Sequence, residues 1–346
     1  MRILSSFRVD DATCVLSEAS FNYSNQPTMK TFYISALLLI SINCVAQEYS
    51  FKESYQLGST AEVSVSSSDG NIEAVAFNND KTDVFYIVRK NNRVLNISRA
   101  ELEKELTLEV TQSGNSLSIV VKYKNEFGWT DWRDKMVVSF RLQLPTETTC
   151  NLRTSDGNVS LKGFNRDQRC NTSDGDISVS DIRGAVTAST SDGNINVAKV
   201  GGNIEVKTSD GDIRLEEIKG NTRASTSDGN IVISKVRGDT YMKTSDGDLT
   251  FRELAGSLDA HTSDGNVSGD IVELKNEVTI RTSDGNISIT VPANAGMDLN
   301  IKGERLNVPL NNFSGHSDER SIQGKSNGGG ADINLSTSGN VTLSYR

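Results

Sequence analysis

The tetrapeptide Thr-Ser-Asp-Gly begins at positions 154, 172, 190, 208, 226, 244 and 262, 18 residues apart each time, and once more at 282 after 20. Self-similarity at so short a period means one small structural unit stacked many times. Fainter copies stand at Ser67-Ser68-Asp69-Gly70-Asn71-Ile72 and Thr337-Ser338-Gly339-Asn340-Val341. They predict that the periodic architecture starts before the first full repeat and runs to the last residues.

Residues 190–207 (TSDGNINVAKVGGNIEVK) serve as the type unit. Ile195 and Val197 alternate with polar residues, as in a strand with one buried face; Val200 follows at a corner, and after Gly202 the alternation resumes with Ile204 and Val206. Each unit is therefore predicted to form one coil of two short strands. The same slots hold Ile177, Val179 and Ile182, then Ile213, Leu215 and Ile218, then Ile231, Ile233 and Val236, then Leu249, Phe251 and Leu254. Stacked, they would make aliphatic ladders. One coil buries too little to be stable, but neighbours about 4.8 Å apart share hydrogen bonds and a continuous core. Eight corners would span roughly 34 Å at that spacing. The expected fold is all-β: a parallel β-solenoid of about 18-residue coils, flattened and two-sided, with a three-sided coil left open.

Turn chemistry accounts for the motif. Asp can hydrogen-bond backbone two residues on, Gly can supply a positive φ, and the following Asn or Asp tolerates left-handed geometry. Gly184, Gly202, Gly220, Gly238 and Gly256 mark the opposite corner. The unit at 262 breaks the pattern, with Gly269 in a slot that elsewhere holds an aliphatic residue and with two extra residues, which predicts a bulge or loop.

Ahead of the repeats, residues 84–88 (VFYIV), 117–121 (LSIVV) and 136–144 (MVVSFRLQL) read as further strands. Ser98 with Glu101, ahead of Leu102 and Leu106, is a capping-box pattern and predicts one short helix able to cover an open solenoid end. Residues 47–150 are thus an N-terminal β region that caps or starts the solenoid, and residues 151–346 are the repeat solenoid.

An export signal begins at Met29 rather than Met1. Lys30 gives the positive start, residues 32–42 (FYISALLLISI) the apolar run, and Cys44-Val45-Ala46 a small-residue cleavage site before Gln47. The run is too short to span a bilayer. Residues 1–28 read as an upstream extension and 29–46 as a signal peptide, so the chain is expected in the periplasm, on the cell surface or secreted. A lipid anchor at Cys44 is the lesser alternative, because Asn43 is a poor residue before a lipidated cysteine. The mature chain keeps Cys150 and Cys170, which could pair in an oxidising compartment or sit as small apolar groups. Residues 1–46 carry Arg2, Arg8 and Lys30 against Asp10, Asp11 and Glu18, so the mature net charge stays at −9, a sign that argues against nucleic acid as a partner.

The repeat units, the lead-in Leu142-Gln143-Leu144-Pro145, and the closing Ile322-Gln323-Gly324 with Asn327-Gly328-Gly329-Gly330 together resemble the bacterial "putative adhesin" domain family of β-strand repeat proteins. The resemblance covers most of the mature chain. It implies a β-repeat fold and adhesion, and it supplies no ligand. This chain holds its period more strictly than the family pattern.

Candidate chemistry rests on two features. The stacked carboxylates of Asp156, Asp174, Asp192, Asp210, Asp228, Asp246, Asp264 and Asp284 would repel at about 4.8 Å, and Ca²⁺ could relieve this. The Gly-Gly-x-Gly-x-Asp pattern of calcium-binding β-rolls is absent, however, and plain turn capping is the favoured account. Trp129 and Trp132, near Tyr123 and Phe127, could stack on a sugar or anchor a partner, with apolar packing over the first coil as the simpler alternative. His261 and His316 are the only histidines, too few for a metal cluster, and no Ser or Cys nucleophile signature occurs. The expected function is a non-catalytic binding or spacer module with no cofactor, facing a cell-surface glycan or protein. A self-assembling envelope scaffold is the alternative, and a carbohydrate-active enzyme the weaker one, because its paired acids would be unique rather than repeated.

Overall fold

Alternation sets the coil. In residues 190–207 the strands Ile195–Val200 and Ile204–Lys207 turn Ile195, Val197, Val200, Ile204 and Val206 inward, each no more than 3% exposed. The 18-residue period then stacks like on like. One ladder of parallel strands runs Ile177, Ile195, Ile213, Ile231, Leu249, Val267 and Ile287, every residue paired with the next. The facing ladder runs Val186, Ile204, Thr222, Thr240, Leu258 and Val278. Each repeat is one coil of two strand runs around a single aliphatic core. The structure, a computed structural model, describes residues 48–346 apart from 59, 79 and 125–134. Residues Gln47–Arg346 form one compact unit, and among the described residues no helix is long and apolar enough to cross a membrane.

The corner opposite Thr-Ser-Asp-Gly differs from expectation. The burial of Ile195–Val200 leaves Ala198 and Lys199 both pointing outward before Val200 turns in. Simple alternation cannot do this, so the backbone must kink, as at a bulge. It kinks at non-glycine residues: Asp181, Lys199, Glu217, Lys235 and Glu253 all have φ between 52° and 58°. That conformation costs roughly 1–2 kcal/mol for a residue with a Cβ. Inter-coil bonds that follow it, such as Lys219 N–H to Val200 O at 2.9 Å, and burial of Val200, Ile218 and Val236 offset the cost.

Glycine is also needed for a different reason from the one expected. None of the Thr-Ser-Asp-Gly glycines has a positive φ. They stack directly on one another, and a Cβ on Gly193 would lie 1.9 Å from the carbonyl oxygen of Gly175. At the far corner Gly238 and Gly256 do adopt positive φ, while Gly202 is again excluded from carrying a side chain by the carbonyl of Gly184 at 2.5 Å.

The irregular coil closes by size compensation. Gly269 pairs with Phe251, and a Cβ there would meet the Phe251 ring and carbonyl at 2.1–2.6 Å. The fully buried phenyl fills the slot that an aliphatic residue occupies elsewhere. The two extra residues are taken up as register shifts between the long strands Leu249–His261 and Val267–Arg281.

Both fainter copies of the motif are genuine coils. Ile72–Phe77 pairs in parallel with Val159–Lys162, and Glu62–Ser66 with Thr149–Arg153. Asn340–Tyr345 pairs with Ile287–Val291, and Ala331–Ser336 with the second half of Val267–Arg281. Val137–Pro145, Ser116–Tyr123 and Met297–Lys302 each add one more parallel strand to these coils, and beyond those pairing turns antiparallel. Phe51–Gln56, Lys81–Lys90 and Val137–Pro145 close one side of the N-terminal end, and Leu106–Ser113 on Ser116–Tyr123 the other. Met297–Lys302, Ser321–Ser326 and Ser314–Ser317 close the C-terminal end. A hairpin can finish a sheet without another full coil, and it limits the exposed parallel edge. The helix Arg99–Glu105 forms where the capping box predicts it, with Ser98 as N-cap, reciprocal bonds between Ser98 and Glu101, and Leu102 buried.

Cys150 and Cys170 are buried and free. Cys150 lies opposite Gln168, and Cys170 opposite Leu152, so the two are offset by two residues across neighbouring strands. That diagonal is roughly 8 Å between Cα atoms, beyond disulfide reach. Burial pushes both thiols up.

Candidate functional site

The Thr-Ser-Asp-Gly corners from Thr172 to Thr282 are all built the same way. The threonine is buried, and its hydroxyl is shared between two carbonyls of the coil below: Thr208 Oγ1 lies 3.0 Å from both Ser191 O and Gly193 O. The same oxygen accepts the N–H of Gly211 at 3.3 Å. The backbone N–H groups of Ser209 and Asp210 both donate to Ser191 O, at 2.9 and 3.0 Å. The residue after the glycine forms its own ladder. Asn194 Oδ1 accepts the N–H of Asp212 at 2.9 Å, and Asp212 Oδ1 accepts that of Asn230 at 2.8 Å. Such rungs run unbroken from Asn71 to Asn340.

Threonine, glycine and the Asn/Asp ladder thus hold the corner. The motif aspartate contributes its N–H, and its carboxylate does not cap the turn as expected. All eight of these carboxylates, from Asp156 to Asp284, face solvent, one per coil. Asp284 accepts from the Ser338 hydroxyl at 3.2 Å. At the other end of the row, burial, with help from Asp69 and Asp174, raises the Asp156 carboxyl above its ordinary value while Lys135 pulls it down. Lys135 itself pairs with Asp69 at 2.6 Å and lies over the Tyr123 ring at 3.9 Å.

Each coil offers one such carboxylate, and among the described residues no group of three or more His, Cys, Asp or Glu side chains is placed to hold a metal ion. The calcium ligand set entertained for this row would need six to eight oxygens around one point. His261 and His316 lie on different parts of the surface, each beside one aspartate, Asp259 at 2.6 Å and Asp318 at 3.2 Å. Trp129 and Trp132 lie outside the described residues. Their described neighbour Tyr123 donates its hydroxyl to Met136 O at 2.7 Å, and burial pushes its phenol up.

Sequence reasoning missed the column of charges at the left-handed corner. Asp181, Lys199, Glu217, Lys235 and Glu253 alternate in sign from coil to coil. Counting the charge at the second residue after each aliphatic pair would have exposed it. With Arg183, Lys219 and Arg237 they line a groove of about 940 Å³ running along the solenoid.

The model of one family covers almost all of the coil stack, matching residues 56–239 and again, overlapping, 184–344. The chain belongs to the Toastrack DUF4097 family. Two overlapping matches within one chain are what an open-ended stack of equivalent coils should give, and the assignment agrees with the resemblance drawn from the repeat motifs. Among solved structures, a "putative cell adhesion protein" from Clostridium sporogenes is similar at 8% identity over 86% of this chain and 99% of that one, with a TM-score of 0.22. A "putative adhesin" from Bacteroides fragilis is similar at 10% identity over 86% of this chain and 96% of that one, with a TM-score of 0.28. At those scores neither structure bears on the ligand or the detailed fold of this Toastrack chain. No curated protein matches it in sequence.

Proposed function

We propose that this chain is a non-catalytic, exported module of the bacterial envelope that presents long polar faces to a cell-surface glycan or protein, in an adhesin or spacer role. One observation supports this above the others. A contiguous aliphatic core fills the described coils from Val63 to Leu343, and the charged groups stand outside it, repeated once per coil. Catalysis needs a few unlike groups converging on one point, in a site that excludes water. Repetition supplies the opposite: the same weak contact many times at fixed pitch, which suits an extended partner. The signal-type segment at 29–46 lies outside the described residues, and export stands on its sequence alone.

Protease treatment of intact cells tests this reading. An adhesin is cleaved from intact cells, and washed cells bind their target less after the treatment. A chain that resists until the outer membrane is broken is not at the surface, and the proposal fails in that form. Turnover of a polysaccharide that is lost on changing one aspartate but not its neighbours in the row would overturn it in favour of an enzyme.

A further inference from the structure

Two corners of the coil carry rows of charge at the same pitch, one wholly acidic and one mixed with a net positive balance. On the Thr-Ser-Asp-Gly edge stand the eight exposed aspartates, one per coil. On the other edge the groove is lined by Arg183, Lys199, Lys219, Lys235 and Arg237 against Asp181, Glu217 and Glu253, five cations to three acids, a local +2 in a chain of −9. These cations fall in four successive coils. Lys235 is engaged by Glu216 and Glu217 at 3.8 and 3.5 Å, whereas among the described residues Arg183, Lys199, Lys219 and Arg237 make no ion pair and are exposed. The two rows stand about half a period apart in each coil, Asp192 and Gly201 being separated by half of the 18-residue unit.

We propose that the groove receives the aspartate edge of a second copy of this chain, so that solenoids associate side by side. Two rows set by the same strand spacing of about 4.8 Å stay in register over their whole length, which a flexible polyanion cannot match. Asp174, Asp192, Asp210 and Asp228 of one copy then face Arg183, Lys199, Lys219 and Arg237 of the next. The contact uses different surfaces on the two copies and does not close, so association continues past the dimer. It requires nothing of where the chain resides or of what its flat faces bind.

Sedimentation velocity of the purified full chain provides the test, at about 20 mM and about 1 M salt, where screening lengths are near 20 Å and 3 Å. Concentration-dependent growth is expected at low salt and its loss at high salt. A groove variant (R183E, K219E and R237E together) and an edge variant (D192K, D210K and D228K together) should each weaken association at least about tenfold. All six positions are exposed, and thermal unfolding confirms that each variant is folded. Mixing the two variants is decisive, because each lacks one of the two complementary surfaces, and association should return in the mixture. A chain that stays monomeric at low salt, association indifferent to either variant, or a mixture that fails to recover would overturn the proposal. So would a wild-type chain that stays monomeric while dextran sulfate binds it through the groove, since the groove's occupant is then a polyanion.

Discussion

The middle of the solenoid and its N-terminal cap are held together in opposite ways. In the coils between Thr154 and Gly285 the corner bonds recur from coil to coil, and Thr208, Thr226 and Thr244 each make the same three contacts at 2.9–3.3 Å. In the cap everything meets once. Glu53 accepts from the hydroxyls of Tyr55 and Tyr86, the latter at 3.0 Å, and from Arg99 at 3.0 Å, and Arg99 in turn holds Glu103 at 2.7 Å. That one carboxylate ties the first strand and the helix to the strand Lys81–Lys90. A repeat array shares its stability among nearest-neighbour contacts, whereas a unique network concentrates it.

The largest effect is expected where the middle has no slack. Gly211→Ala would set a Cβ 2.0 Å from the carbonyl of Gly193, backbone against backbone. Neither coil can yield without breaking the neighbouring rungs, so the cost should exceed about 3 kcal/mol. Chemical denaturation should show the stack unfolding at lower denaturant, or in two transitions as the array is cut in half. An unaltered midpoint would mean that the coils are less closely stacked than the structure has them.

Glu53→Gln probes the cap. Burial alone would raise this carboxyl, but the hydrogen bonds from Tyr55, Arg99 and Tyr86 outweigh it and hold its pKa below 4.5. Burial, and after it the hydrogen bond to Glu53, push the Tyr55 phenol up to about 12, against the opposing pull of Tyr86 and Arg99. A depressed carboxylate stabilises the fold at pH values above its unfolded pKa, and that contribution is lost as the pH falls through the folded value. The substitution should cost about 1–2 kcal/mol at pH 7, and the gap between variant and wild type should narrow below pH ~4.5. Melting curves at pH 7 and pH 4 measure it. A gap independent of pH would mean that the charge on Glu53 is not what binds the cap.

Thr→Val, made separately at 208, 226 and 244, tests the equivalence of the coils. Each should cost about 1 kcal/mol, for one shared hydroxyl bond and one N–H left without its acceptor. The three costs should agree within about 0.5 kcal/mol, because each coil sees the same neighbours. Unequal costs would show that position along the stack matters more than local geometry.

The same contrast decides what could be read from the amino-acid sequence. Stacking of Ile195 on Ile213 and Ile231 follows from the period and the alternation alone, and the helix start follows from Ser98 and Glu101, because both are local rules repeated or confined to four residues. The left-handed turn at Lys199 was hidden because no glycine marks it. Only the two consecutive outward residues before Val200 betray it, and charge at such a position usually signals nothing but solvent. The threonine, not the aspartate, caps the corner because its carbonyl partners belong to the coil below, 15 and 17 residues back, which turn rules written for one chain segment do not see. The Gly269 exchange with Phe251 is likewise a contact between coils. The Glu53 network, joining residues up to 46 apart with no period, left no pattern to find.

The smallest predicted effect lies where the two regions meet. Asp156 opens the long row of motif aspartates, and its carboxyl is raised by burial first and then by the like charges of Asp69 and Asp174 on either side. Its raised carboxyl means that the ionised form is disfavoured in the fold. The sign is therefore opposite to that of Glu53: the cost is present at pH values above the folded pKa and absent once the pH drops below the unfolded value of about 3.8. Asp156→Asn should stabilise the chain at pH 7 by only a few tenths of a kcal/mol, since water screens so exposed a group, and the gain should vanish near pH 4. The same change at Asp210, flanked by Asp192 and Asp228 but far from the cap, gives the comparison. If Asp210→Asn stabilises as much as Asp156→Asn, repulsion along the row alone accounts for both. If it does not, the junction with Asp69 and Lys135 is what sets Asp156 apart.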